Sequence, residues 1–149
     1  GEAALAVFES ILEHNQTDPY LMCAYANLLR DSDIRCAKQH VTADEEEARQ
    51  EMRQEAVETA LEFYRNALEV AGEDAKILTQ YALCLSEACR NLTAAEEVYR
   101  RAAQADPTFA PALHNWGSQA VEEAYNLREE LNEMRETNQT VAVQIEGVR

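Results

Sequence analysis

Apolar residues recur every three or four positions along most of the chain, the spacing of a helix face and not of a strand. Leu5, Phe8, Ile11 and Leu12 form a first run that ends before Asp18-Pro19. Leu21, Ala24, Tyr25, Leu28 and Leu29 form a second. Thr42-x-x-Glu45 then has the pattern of a capping box. From it Ala48, Met52, Ala56, Ala60, Phe63, Tyr64, Ala67 and Leu68 continue one stripe without a breaker to Gly72. The spacing predicts one overlong helix there, of about 28 residues. Two shorter helices are expected between Ala75 and Pro107, with a turn near Arg90-Asn91-Leu92-Thr93 and a second capping box from Thr93 to Glu96. From Leu113 onward a seam of Leu113, Trp116, Ala120, Ala124, Leu127, Leu131, Met134, Asn138, Val141, Ile145 and Val148 predicts a long terminal helix. Its stretch from Thr137 to Val143 is rich in β-branched residues, which should weaken that helix near its end. The fold class is therefore all-α, with no sheet.

The pattern also repeats. Ala60, Tyr64 and Ala67 return as Ala95, Tyr99 and Ala102. Ala75, Leu78, Tyr81 and Ala82 return as Ala110, Leu113, Trp116 and Gly117. Every pair has the same offset, one residue more than the roughly 34-residue tetratricopeptide period. Gly72 and Pro107, both helix terminators, share it. Asn115-Trp116-Gly117 in a first helix, and Ala95-x-x-x-Tyr99-x-x-Ala102 ending in Asp106-Pro107 in a second, resemble the tetratricopeptide repeat family. The resemblance implies an α-α superhelix, a solenoid of helical hairpins, here with a long inserted helix and a long C-terminal helix. It also implies that the small residues Ala82, Gly117, Ala95 and Ala102 sit at close helix contacts, with the rings of Tyr64, Tyr81, Tyr99 and Trp116 between units.

One repeat domain over 1–149 is expected. It comprises a partial unit at 1–18, a unit with an insertion at 19–72, a unit at 73–107, and an incomplete unit with the C-terminal helix at 108–149. The insertion follows from Tyr25-Ala26 and Tyr81-Ala82, which lie about 56 positions apart where about 34 would suffice. Residues 31–41, with Asp31, Asp33, Cys36 and His40, read as an irregular connection without ligand spacing. After 107 the repeat decays, since Glu130 stands where Ala95 stood and Thr137 where Ala102 stood. The terminal seam either caps the last repeat or pairs in a coiled coil. Because the chain begins Gly1-Glu2 inside a helical pattern, it reads as a piece of something longer.

Charge narrows the partners. The 149 residues carry 28 acidic and 13 basic groups, a formal net charge of -15, which repels a phosphate backbone and argues against nucleic acid. No run approaches the roughly 18 apolar residues of a membrane span. Cys23, Cys36, Cys84 and Cys89 match neither a CxxC motif nor a zinc site, so they read as free thiols in an intracellular, reducing compartment, cytoplasmic or organellar. Asn15-Gln16-Thr17, Asn91-Leu92-Thr93 and Asn138-Gln139-Thr140 fit the glycosylation acceptor pattern, but so short a pattern arises easily by chance. His14, His40 and His114 stand apart from any nucleophile, and there is no phosphate loop or HExxH. No enzyme, cofactor or metal is expected. Asp44, Glu45, Glu46 and Glu47 suit the positive end of a helix dipole on a solvated face.

What the family resemblance implies is capture of another protein or peptide in a groove lined by the first helices. Carried onto this sequence, that groove holds Tyr20, Asn27 and Arg30, then Lys76, Thr79 and Leu83, then His114, Ser118 and Val121. Family members that clamp chaperone tails carry several cations there. This chain keeps Asn27 and Lys76 but has Cys23, Gln80, Pro111 and Asn115 at the other clamp positions, which disfavours such tails. The alternative is an assembly subunit that associates, with itself or within a complex, through residues 113–148.

Overall fold

The computed structural model describes residues 2–15, 17–31 and 42–147. Among these residues six α-helices follow in order: α1 (Glu2–His14), α2 (Pro19–Asp31), α3 (Ala43–Ala71), α4 (Ala75–Leu83), α5 (Leu92–Ala105) and α6 (Ala110–Gly147). A single π-helical turn, Cys84–Ala88, extends α4. No strand occurs among the described residues. The expected irregular connection, with Asp33, Cys36 and His40, lies outside the described residues apart from Asp31, which ends α2.

The helix ends follow local chemistry. Thr42 caps α3 reciprocally: its hydroxyl accepts from the Glu45 backbone N–H, and the Glu45 carboxylate accepts from the Thr42 backbone N–H at 2.8 Å. Asp44, Glu45 and Glu46 occupy the first turn of α3, where the dipole favours them, and are exposed with Glu47. Gly72 stops α3 with φ of 75°, a left-handed conformation open to glycine, and its N–H closes on the Leu68 carbonyl. Asp74 caps α4 by accepting from the backbone N–H groups of Lys76 and Ile77. The start of α5 corrects the sequence expectation. Asn91, not Thr93, is the cap, its side chain accepting from the Ala94 N–H. The π turn moves the preceding chain end, with Arg90 at φ of 54° and the Asn91 N–H on the Leu85 carbonyl, so the helix begins earlier than a Thr93 cap allows.

Within the compact unit Gly1–Asn115, α2 packs on α3 and α4 on α5, giving two successive helical hairpins. α1 lies on α2, and the Tyr25 hydroxyl donates to the Glu9 carboxylate across that contact at 3.0 Å. The core takes Met22, Cys23, Tyr25 and Ala26 from α2, Ala60, Tyr64 and Ala67 from α3, and Ile77 from α4. Aromatic contacts close it: Tyr25 meets Phe63 edge to face at 4.8 Å between ring centroids, and Tyr64 meets Tyr81 in a tilted pair at 5.9 Å. The repeat offset is visible in burial. Ala60, Tyr64 and Ala67 are fully buried, and so are Ala95, Tyr99 and Ala102 to within 1%. Alanine at these turns lets the second helix of each hairpin approach the first, and the tyrosine fills the space beside it.

The other half of the repeat does not hold after Pro107. Leu78 and Ala82 are fully buried, whereas Leu113 is 46% exposed and Gly117 is exposed. A Cβ built on Gly117 would meet nothing within 4 Å, so this glycine is not the close helix contact that the resemblance implies. The reason lies downstream. A first helix of a hairpin buries its small residues against a second helix, and at this offset the chain supplies Glu130 and Thr137 instead of alanines. α6 continues as one helix of 38 residues. Trp116–Arg149 forms a second compact unit. Nor do the β-branched residues end α6 early. Thr137 and Thr140 donate their hydroxyls to the carbonyls of Glu133 and Glu136, four residues back, so these hydroxyls are engaged within the helix.

Candidate partner-binding surface

The first helices of the two hairpins, α2 and α4, are neighbours in the first unit. Two side-chain bonds join them. Near their N-terminal ends the Tyr20 hydroxyl donates to Oδ2 of Asp74 at 2.7 Å, while Oδ1 of the same carboxylate holds the start of α4. At the other end an Arg30 Nη1 donates to Oε1 of Gln80 at 3.2 Å. The resulting strip runs from Tyr20 to Arg30 along α2 and from Lys76 to Leu83 along α4.

Electrostatics follow these bonds. Burial pushes the Asp74 carboxyl up, but the bonds from Tyr20, Ile77 and Lys76 outweigh it and hold the carboxyl below the usual range. The same contact, first through the hydrogen bond and then through the carboxylate charge, raises the Tyr20 phenol. Arg30 keeps only 13% of its side chain exposed. Burial works against its charge, yet the Asp31 carboxylate, accepting from Nε at 2.9 Å, more than offsets this and raises its pKa. Cys23, facing the core beneath the strip, is raised to about 11 by burial.

These placements sort the nine residues expected from the resemblance. Tyr20 is 54% exposed and Lys76 is exposed, so both offer surface to a ligand. Leu83 is half-buried. Asn27 is half-buried and already engaged, its Oδ1 accepting the Tyr64 hydroxyl at 2.6 Å. Arg30 is committed to Asp31 and Gln80. Thr79 corrects the expectation outright. At 1% exposure, with its hydroxyl given to the Ala75 carbonyl at 2.6 Å, it belongs to the core and offers nothing to a groove. The cause is the rotation of α4, which turns Ala75, Ile77, Leu78, Thr79 and Ala82 inward as one broad face. His114, exposed, is the last but one residue of the first unit, while Ser118 and Val121, both exposed, belong to the second. The site described here is therefore that of α2 and α4.

Sequence reasoning missed Asp74 altogether and placed Gln80 only at a clamp position by resemblance, without the bond to Arg30; these two residues accept the two cross-helix bonds. Asp74 had a signal, standing immediately before an apolar run and just after Gly72. The pairing of Gln80 with Arg30 had none, because the two lie about 50 positions apart in sequence. Among the described residues, open hollows of about 650 and 520 Å³ lie elsewhere, each along a single helix: one on α3 between Glu55 and Glu69, another on α6 between Glu130 and Asn138. Among the described residues no group of three or more His, Cys, Asp or Glu is placed to hold a metal ion. No described helix is long and apolar enough to cross a membrane. In comparison with known proteins, no family model, no curated protein and no solved structure matches the chain.

Proposed function

We propose that this chain is a protein-interaction module of the tetratricopeptide type, which holds a segment of a partner protein on the face made by α2 and α4. The observation that carries the reading is the side-by-side placement of first helices from successive hairpins, tied by Tyr20 to Asp74 and by Arg30 to Gln80. Such a strip is pre-organised, so a bound segment orders few side chains of the module. The matching burial of the Ala60–Tyr64–Ala67 and Ala95–Tyr99–Ala102 triplets supports the repeat on which the reading depends. The chemistry of the strip sets the occupant: the exposed Tyr20 ring and half-buried Leu83 take apolar side chains, and Lys76 takes a carbonyl or carboxylate oxygen. With a net charge of -15 and screening over about 8 Å at physiological salt, these local contacts outweigh long-range steering.

The test is a Lys76→Glu, Leu83→Glu double variant, kept only if its circular dichroism matches the parent, used in parallel affinity captures. Loss of partners that the parent recovers supports the reading. Identical recovery refutes it. A second reading, assembly through the C-terminal helix, is favoured by one observation of its own: Leu127, Leu131 and Met134 of α6 are all at least 50% exposed.

A further inference from the structure

α6 carries an apolar seam that is exposed among the described residues. Leu127, Leu131, Met134, Val141 and Ile145 range from 47% exposed at Val141 to 63% at Met134. From Ala124 their spacing alternates strictly between three and four residues, the heptad of a coiled coil with Ala124, Leu131, Asn138 and Ile145 at a, and Leu127, Met134 and Val141 at d. That sustains three heptads within the described helix, the length at which such a pattern becomes informative. The face could in principle take any helix. The charges beside it choose one.

Both cations of α6, Arg128 and Arg135, fall at e positions, and Glu123 and Glu130 fall at the g positions five residues before them. Within one helix that spacing does not bring side chains together, because only residues three or four apart face each other. The three- and four-residue neighbours of Arg128 are Ala124, Tyr125, Leu131 and Asn132; those of Arg135 are Leu131, Asn132, Asn138 and Gln139. None is acidic, although α6 is rich in glutamate. Among the described residues neither arginine makes an ion pair. Five residues from g to e is, however, the reach from one helix to the next in a parallel two-stranded coiled coil. In an antiparallel pair the arginines would instead face arginines, and the glutamates glutamates. Asn138 at a is the kind of buried polar residue that fixes register in a dimer, where it meets its own copy. The open hollow on this face, lined in part by Met134, Thr137 and Asn138, lies where a knob of that layer would seat.

The geometry points to a second copy of this chain as the occupant: α6 is the strand of a parallel homodimeric coiled coil over Ala124–Ile145, held in register by Asn138 and by Glu123–Arg128 and Glu130–Arg135 pairs between copies. This goes beyond the proposed holding of a partner on α2 and α4 and does not depend on it.

Sedimentation velocity on the full 149-residue chain tests it, with two charge-reversed forms. One carries Arg128→Glu and Arg135→Glu, the other Glu123→Arg and Glu130→Arg. The substituted side chains are exposed, so each form keeps the parent's helical circular dichroism. The expected result is a dimeric parent, each reversed form weakened roughly tenfold or more, and an equimolar mixture restored to parent strength as a heterodimer. Asn138→Ile should tighten association and loosen the choice of oligomer. A parent that stays monomeric into the millimolar range overturns the proposal, whether or not another protein's helix binds α6. So does a parent dimer indifferent to all four charges, or a mixture that dimerises when the parent does not, which would mean an antiparallel pair. Association that simply tracks net charge, stronger for the arginine form and weaker for the glutamate form, overturns it too.

Discussion

Ala95 and Gly117 are equivalent to the eye in sequence, two small residues at repeat positions, and they separate cleanly in the structure. Ala95 is fully buried in α5 within the first unit. Enlarging it to leucine inserts three carbons where no space exists, and overpacking of this kind costs roughly 1–3 kcal/mol. For a cooperative unit of this size, about 4 °C of Tm accompanies each kcal/mol, so Ala95→Leu should melt about 4–12 °C below the parent. Gly117 has the opposite surroundings, exposed in mid-helix with open space where a Cβ would stand. Gly117→Ala should leave α6 unchanged or stabilise it by up to about 1 kcal/mol, the propensity difference between the two residues in a helix. The two effects can be read separately. Near-ultraviolet circular dichroism of the buried rings Tyr64 and Tyr99 reports on the first unit. Fluorescence of Trp116, the single tryptophan of the chain, reports on the second. If Ala95→Leu melts with the parent, the packing of α5 described here is wrong. If Gly117→Ala destabilises α6, a neighbour closes on Gly117 and the third hairpin exists after all.

Three other outcomes follow from single contacts. Tyr64→Phe should cost about 1 kcal/mol by leaving the half-buried Asn27 Oδ1 without its donor, whereas Tyr64→Ala should cost about 3–5 kcal/mol by emptying the core; urea denaturation measures both. Asp74 has a folded pKa held below its unfolded value of about 3.9, so its contribution to stability is full above that value and lost as the pH falls through the folded one. Melts between neutrality and acid should therefore steepen in loss below about pH 4, and Asp74→Asn should flatten that part of the curve while removing part of the α4 cap. Thiol alkylation followed by peptide mapping should modify Cys89, which is exposed, in the native protein. It should reach Cys23 and Cys84 only on unfolding, since burial raises their thiols to about 11 and about 12. Equal labelling of all three would contradict the burial.

The all-α class, the long helix from Ala43 to Ala71 and its capping box were legible because each rests on neighbours within a few residues. A 3.6-residue apolar stripe, a Thr-x-x-Glu and a terminating glycine act locally. Buried Ala–Tyr–Ala triplets were legible too, since a repeat offset carries tertiary information along the chain. What failed were choices between near-equal local options. Asn91 and Thr93 both make good caps, and the π turn before them, which nothing in the local pattern signals, decided for Asn91. Thr79 failed for a different reason. Transfer from the resemblance put it in the groove, but a hydroxyl that can bond to the carbonyl four residues back is nearly as easy to bury as an alanine, and here it is buried.

The surface is legible only in part, and the two faces of interest differ in kind. The groove positions came by transfer, position for position, and transfer ignores which side chains a module uses to hold itself together. Arg30, Asn27 and Tyr20 show the consequence: each has a partner across α2, α3 or α4, so what remains for a ligand is Lys76, part of Leu83 and the Tyr20 ring. The seam of α6 runs the other way. Its apolar spacing is plain in sequence, but whether such a stripe is core or contact depends on what covers it, and only the exposure of Leu127 and Met134 shows that it is open among the described residues. Once that is known the sequence speaks again, because two arginines with no acid three or four residues away, each five residues after a glutamate, make sense on a helix that meets its own copy.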